Sequence, residues 1–198
     1  MVAARFIALL YVKAILWNPP PKINHQIGQV TLHQRFSFKK ETAMNQRKNT
    51  RLVNYDYASS GAYFVTLVSR LRAPLFGYIT HETLTPSPVG IIVEQEWLLL
   101  STRIPLLRLD KFTVMPNHFH GILWLKPDNT LPLSRIISSY KAGVSRLCHQ
   151  SIWQYNFHDR VIRNERELFY TRQYIEQNPL RWHVDPYFTS APNCENAQ

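Results

Sequence analysis

Cysteine is scarce in this 198-residue chain: only Cys148 and Cys194 occur, far apart and without metal-ligand spacing. That excludes a disulfide scaffold and a cysteine-based zinc site, and it fits a reducing compartment such as the cytoplasm. No P-loop is present, so no ATP-binding device of that kind is available. Internal repeats are also missing. The opening MVAARFIALLYVKAILW is the nearest approach to a targeting or membrane segment, but Lys13 interrupts it and no small-residue cleavage site follows. The chain therefore reads as soluble. Acidic residues are nearly absent from residues 1–51, where nine Lys/Arg face Glu41 alone, for a net of +8. The remaining 147 residues carry 14 basic and 12 acidic groups, a net of only +2. A basic surplus suits a polyanion such as nucleic acid. Here it belongs mainly to the N-terminal segment and says little about the rest.

Patterning divides the chain into a basic N-terminal extension (1–49), a folded domain (50–186) and a C-terminal tail (187–198). The extension holds NPPPK and KKETAMNQRKNTR and shows no clear period. AYFVTLV is a strong strand signal, and LFGYI reads as a second, shorter strand. SPVGIIVEQEWLLLSTRIP starts with Ser-Pro and recurs at helical spacing through Val89, Ile92, Trp97 and Leu100. DKFTVM and HFHGILWL, joined by Pro116-Asn117, read as a hairpin. LPLSRIISSYKAGVSRLCHQ is a helix that gathers Ile136, Ile137, Tyr140, Val144, Leu147 and Cys148 on one side, with Arg135 and Arg146 opposite. IWQYNFHDRVIR reads as partly extended. NERELFYTRQYIEQNPLRW is a final helix with Asn164 as N-cap, ending before Pro179. This order predicts an α+β domain, an antiparallel sheet with helices packed on it.

The chemistry concentrates in VMPNHFHGILWL. In a strand His118 and His120 share one face with Ile122 and Trp124, while Phe119, Gly121, Leu123 and Leu125 take the other. A strand apolar on both faces is a covered, central one. Two neighbouring imidazoles there call for a metal ion or an anion, or else they are ordinary core or surface histidines. The final helix adds a second clue. Its wheel puts Leu168, Phe169 and Ile175 on one side and Tyr170, Tyr174 and Asn178 on the other, with Tyr174 and Asn178 neighbours at i, i+4. Tyr140 lies mid-way across its helix's apolar arc and reads as core, and Tyr170 reads as packing. Arg135 and Arg146 are free to track phosphates.

MPNHFHGILWL, WQYNFHDRVIRNE and YIEQNPLRW together resemble the single-tyrosine HUH transposases, on the REP-associated branch, as do NYDYASSGAYFVTL, LFGYI and VGIIVEQEW. The similarity spans about residues 50–186. It implies a ferredoxin-like HUH domain with Tyr174 as nucleophile and Asn178 as third metal ligand beside His118 and His120. His158 stands where such proteins usually carry an aromatic residue. The implied activity is metal-dependent cleavage and rejoining of single-stranded or hairpin DNA through a 5′-phosphotyrosine link, with a homodimer as one arrangement. By ligand softness a His-His-Asn set suggests zinc, whereas the resemblance implies Mg2+ or Mn2+. Two other readings stand beside this one: a non-catalytic nucleic-acid-binding protein of the same fold, and a metal-dependent hydrolase using water.

Overall fold

The computed structural model describes residues 55–189. Residues 1–54, with the whole basic extension, and residues 190–198 of the expected tail lie outside this range.

Strand β1 (Gly61–Val68) is built from the β-branched and aromatic residues that favour a pleated surface. It runs antiparallel both to β5 (His118–Leu125) and to β6 (His158–Ile162). Strand β4 (Leu107–Val114) completes the sheet by pairing antiparallel with β5, giving the order β4-β5-β1-β6. The expected hairpin is therefore real, and β5 is internal, as its two apolar faces predict. The connecting helices are α1 (Pro88–Leu98), the short α2 (Leu100–Arg103) and α3 (Leu133–Leu147). A β-α-β-β-α-β order with these neighbours is ferredoxin-like. The α+β expectation holds.

Local chemistry sets the helix ends. Ser87 caps α1 by accepting from the Gly90 N–H at 3.0 Å, with Pro88 in the first turn, where a missing N–H costs nothing. A final helix, α4 (Glu165–Gln177), is capped by Asn164, whose side chain accepts from Glu167 N–H at 2.9 Å. Pro179 follows its C-cap, Asn178, and the chain continues as a 3-10 turn over Pro179–Val184.

The sequence reading missed one strand. LFGYI contributes β2 (Gly77–Thr80), which among the described residues pairs only with β3 (Thr83–Pro86) in a separate two-stranded ribbon. Its turn places His81 and Glu82 at φ 48° and 63°. Such a turn ordinarily advertises itself with Asn-Gly, and this one does not.

The two faces of the sheet are covered differently. Beneath α1 and α3 lie Tyr63, Val65, Leu67, Phe119 and Leu123, all fully buried. Trp97 packs on Phe119 at 4.7 Å and on Tyr140 at 5.4 Å between ring centroids. A Cβ at Gly121 would come within 2.6 Å of the Trp97 ring, so only glycine lets that indole lie on the sheet. On the other face Ala62, Ile122 and Ile162 meet Leu168 and Ile175 of α4, with Phe64 and Trp124 packed alongside.

Helix α4 corrects the expected wheel. Its buried residues are Leu168, Thr171 and Ile175, while Phe169 is exposed. Thr171 is tolerated inside because its hydroxyl donates to the Glu167 carbonyl at 2.7 Å and accepts from Arg160 at 3.0 Å. The helix is thus turned so that Asn178 is buried as well. A β-bulge in β4, where the register shifts between Leu109 and Phe112, aims Asp110 at this helix. Its carboxylate accepts two bonds from Arg172, at 2.9 and 2.6 Å, and one from Trp124 Nε1 at 2.9 Å.

Candidate active site

His118 and His120 point from β5 toward α4, on the face where alternation places them, and both are almost fully buried. Their rings lie 4.6 Å apart. Each is held from behind. Asn117 donates through Nδ2 to the carbonyls of Arg72 (3.1 Å) and Tyr187 (2.7 Å), so its Oδ1 faces His118 Nδ1 at 3.0 Å as an acceptor. His118 therefore carries its hydrogen on Nδ1 and presents a bare Nε2. Thr66, directly across the ladder from His120, places Oγ1 2.8 Å from its Nδ1. Tyr174 Oη lies 3.3 Å from His120 Nε2, and a hydrogen on Nδ1 lets the phenol donate there.

Asp185 joins this group. Its Oδ1 accepts from Tyr187 N–H at 2.7 Å, and its Oδ2 stands 3.9 Å from His118 Nε2. Ligand atoms of His118, His120 and Asp185 lie within 4.8 Å of one another. His118 Nε2 and Asn178 Oδ1 are buried without a hydrogen-bond partner among the described residues.

Burial drives the electrostatics. It pushes His118 down to about 3, against the pull of Asn178. It pushes His120 well below its ordinary value, helped by His118. Both imidazoles are neutral at pH 7. Burial raises Asp185 from its ordinary range, opposed by hydrogen bonds from Tyr187 and Asn178. Burial also raises the Tyr174 phenol, as do Asp185 and Tyr187, with Asn178 opposing. Bare lone pairs on His118 Nε2 and Asn178 Oδ1 thus converge with His120 Nε2 and the Asp185 carboxylate, which have few donors between them. Such a set is costly unless a cation sits among it. The residues fit a divalent metal. Asp185 supplies the carboxylate that the expected set lacked.

The structure brings together four of the expected residues, His118, His120, Tyr174 and Asn178. Arg135 and Arg146 are exposed on α3, which packs on the opposite face through Tyr140 against Phe119. They do not reach this site. Tyr140 is fully buried and donates to the Val93 carbonyl at 2.8 Å, as its place in the apolar arc predicts. His158 is exposed on β6, opposite Thr66. Thr66, Asn117 and Asp185 were missed. Only Asn117, adjacent to His118, had a sequence signal; Thr66 depends on register. Asp185 and Tyr187 come from a segment on either side of the expected tail boundary, and the Tyr187 ring packs 4.9 Å from His118.

Comparison with known proteins adds the fold's relatives. No family model matches the chain. A curated protein of Haemophilus influenzae, described as an uncharacterized protein, is 29% identical over 175 residues, 76% of this chain and 97% of that one. Among solved structures, a REP-associated tyrosine transposase bound to a REP hairpin matches with a TM-score of 0.53 and 20% identity. The match covers 72% of this chain and 92% of the transposase. This chain has that transposase's fold. Among the described residues no helix is long and apolar enough to cross a membrane.

Proposed function

We propose that this domain is a single-tyrosine HUH transposase that cleaves and rejoins single-stranded, hairpin-containing DNA. The observation that carries the reading is the Tyr174 hydroxyl, 3.3 Å from His120 Nε2 at the edge of a convergent set of lone pairs. A buried, neutral His pair with an amide and a carboxylate suits Mg2+ or Mn2+, held by His118, His120, Asn178 and Asp185. Such an ion, when bound, neutralises phosphate charge and favours the phenolate.

The chain's own residues do the rest. Asn117 and Thr66 fix the imidazoles with their Nε2 atoms inward. Tyr174 Oη attacks the phosphorus, forming a phosphotyrosine while the bond to the 3′ oxygen breaks. The phenol's proton is lost, and the departing 3′ oxygen takes one up. In the reverse step a 3′ hydroxyl attacks the phosphotyrosine and releases Tyr174, so bond energy is conserved without ATP. The raised Tyr174 phenol agrees with a nucleophile that stays protonated until its site is loaded. A DNA substrate in a chain with so little cysteine fits the cytoplasm.

The test is a denaturing gel after incubation with hairpin-bearing single strands and Mn2+. A DNA-protein adduct that excess EDTA prevents supports the reading. Binding without an adduct favours the non-catalytic alternative, and cleavage without one favours hydrolysis by water.

A further inference from the structure

Tyr170 reads from the sequence as a packing residue beside Tyr174, and the structure leaves it in solvent. Its side chain is 55% exposed, as is that of Phe169. These two rings meet edge to face with centroids 5.6 Å apart. The Arg166 guanidinium lies over the Tyr170 ring, 5.9 Å from its centroid. Arg166, Tyr170 and Tyr174 follow one another at intervals of four, so they form one line along α4. Its inner end is the hydroxyl beside His120.

Carboxylates of α4 are engaged elsewhere. Glu176 pairs with Lys111 at 2.5 Å, Glu165 and Glu176 both act on Arg172, and Glu167 accepts from the Arg163 N–H at 2.9 Å. Arg160 adds a second cation near the inner end, 5.8 Å above Phe64, whose ring meets Tyr174 edge-on at 6.1 Å. The path to the hydroxyl is therefore aromatic and cationic. Two adjacent large rings more than half exposed add little to the core, and a flat π face flanked by guanidinium suits a nucleobase.

We propose that Tyr170, flanked by Arg166, is a stacking platform for an unpaired base next to the phosphate that Tyr174 attacks. This rests on the proposed function and specifies the part of the substrate that the helix reads. One step along the line, four residues, advances about 6 Å, which keeps the base near the reacting phosphate. Paired bases in a hairpin stem have their faces covered by neighbours, so the platform takes the single-stranded flank and not the stem. Charge decides against a second copy of this chain as occupant, because the line offers cations and no free carboxylate to complement them.

The experiment uses full-length protein carrying Tyr174→Phe, which cannot cleave, and two fluorescent oligonucleotides. One is a thymine-looped hairpin alone; the other adds an unpaired flank of about eight thymines, scanned with single 2-aminopurine substitutions. Adding Tyr170→Ala should weaken binding of the flanked strand about tenfold and restore fluorescence at one quenched position. The hairpin alone should bind as before, and Tyr170→Phe should keep both signals. Equal affinity of Tyr170→Ala for the flanked strand, equal loss for both DNAs, or a change in sedimentation without a change in DNA binding would overturn the platform. The adduct formed by the protein with Tyr174 intact judges the catalytic reading separately. Its absence removes the transposase, whereas unchanged 2-aminopurine quenching removes only the platform.

Discussion

The two faces of strand β5 are made from alternate residues of one short segment, yet they do opposite things. Phe119, Gly121 and Leu123 look toward α1 and α3, where Trp97 and Tyr140 fill the space and the hydroxyls of Tyr140 and Tyr63 donate to the carbonyls of Val93 and Ser59. His118 and His120 look toward α4, where polar atoms are buried and some of them are left bare. A protein interior normally satisfies its polar groups. The difference teaches where to look for function: one face is filled by packed rings, with two lone indole N–H groups left over at Trp97 and Trp153, and the other gathers several lone pairs at one point. Between them stand Thr66 and Asn117, polar residues that satisfy the back of each imidazole and leave its front open.

The comparison breaks most visibly on the proposed nucleophile. Tyr174→Phe should reduce adduct formation by more than about a thousandfold with only a small change in melting temperature, because its ring stays in place and its hydroxyl makes a single long contact, 3.3 Å, to His120. His118→Ala or His120→Ala should do the same, and should also remove any stabilisation by Mn2+ in a thermal melt. Thr66→Val keeps the shape and deletes only the group behind His120. It should lower the cleavage rate by roughly 10- to 100-fold, measured by single-turnover gel assay.

Across the strand the expected losses are of stability. Phe119→Ala should cost about 3–5 kcal/mol, read as a lower denaturant midpoint, with the remaining folded protein still able to form the adduct. Tyr140→Phe should cost about 1 kcal/mol and leave cleavage at wild-type rate.

The smallest effect concerns how α4 is tied to the sheet. Burial of Asp110 opposes its ionisation, but hydrogen bonds from Arg172, Trp124 and the Lys111 backbone outweigh it and bring its carboxyl from 3.8 down to about 2. A depressed folded-state value means that this stabilisation is present above about pH 4 and is lost as the pH falls toward 2. Asp110→Asn should flatten that part of the stability-against-pH curve, which chemical denaturation at a series of pH values would show.

Much of this was legible in the chain because alternation is a strong signal. The inward and outward sets of β5, the capped starts of α1 and α4, and the burial of Tyr140 all follow from spacing and cap chemistry. The ribbon strand β3 was not legible, since its turn uses His81 and Glu82 in a conformation usually marked by Asn and Gly. The rotation of α4 was misjudged because Phe169 is apolar and Thr171 is not. Tertiary contact reversed them, with Arg160 satisfying the threonine and leaving the phenylalanine in solvent. Asp185 is seven residues beyond Asn178, past a proline and a 3-10 turn, and no periodicity connects such a residue to a histidine on a strand. Thr66 faces His120 by register alone, which a single sequence does not state.

The most direct test of the central claim is to map the modified residue. Protein trapped on a hairpin-bearing single strand in Mn2+ would be digested with nuclease and protease, and the peptide carrying the residual nucleotide sequenced by mass spectrometry. The account predicts one phosphotyrosine, at Tyr174, on the face of the sheet where His118 and His120 stand. A phosphotyrosine at Tyr170 or Tyr140, or an adduct of undiminished yield in Tyr174→Phe, would contradict it.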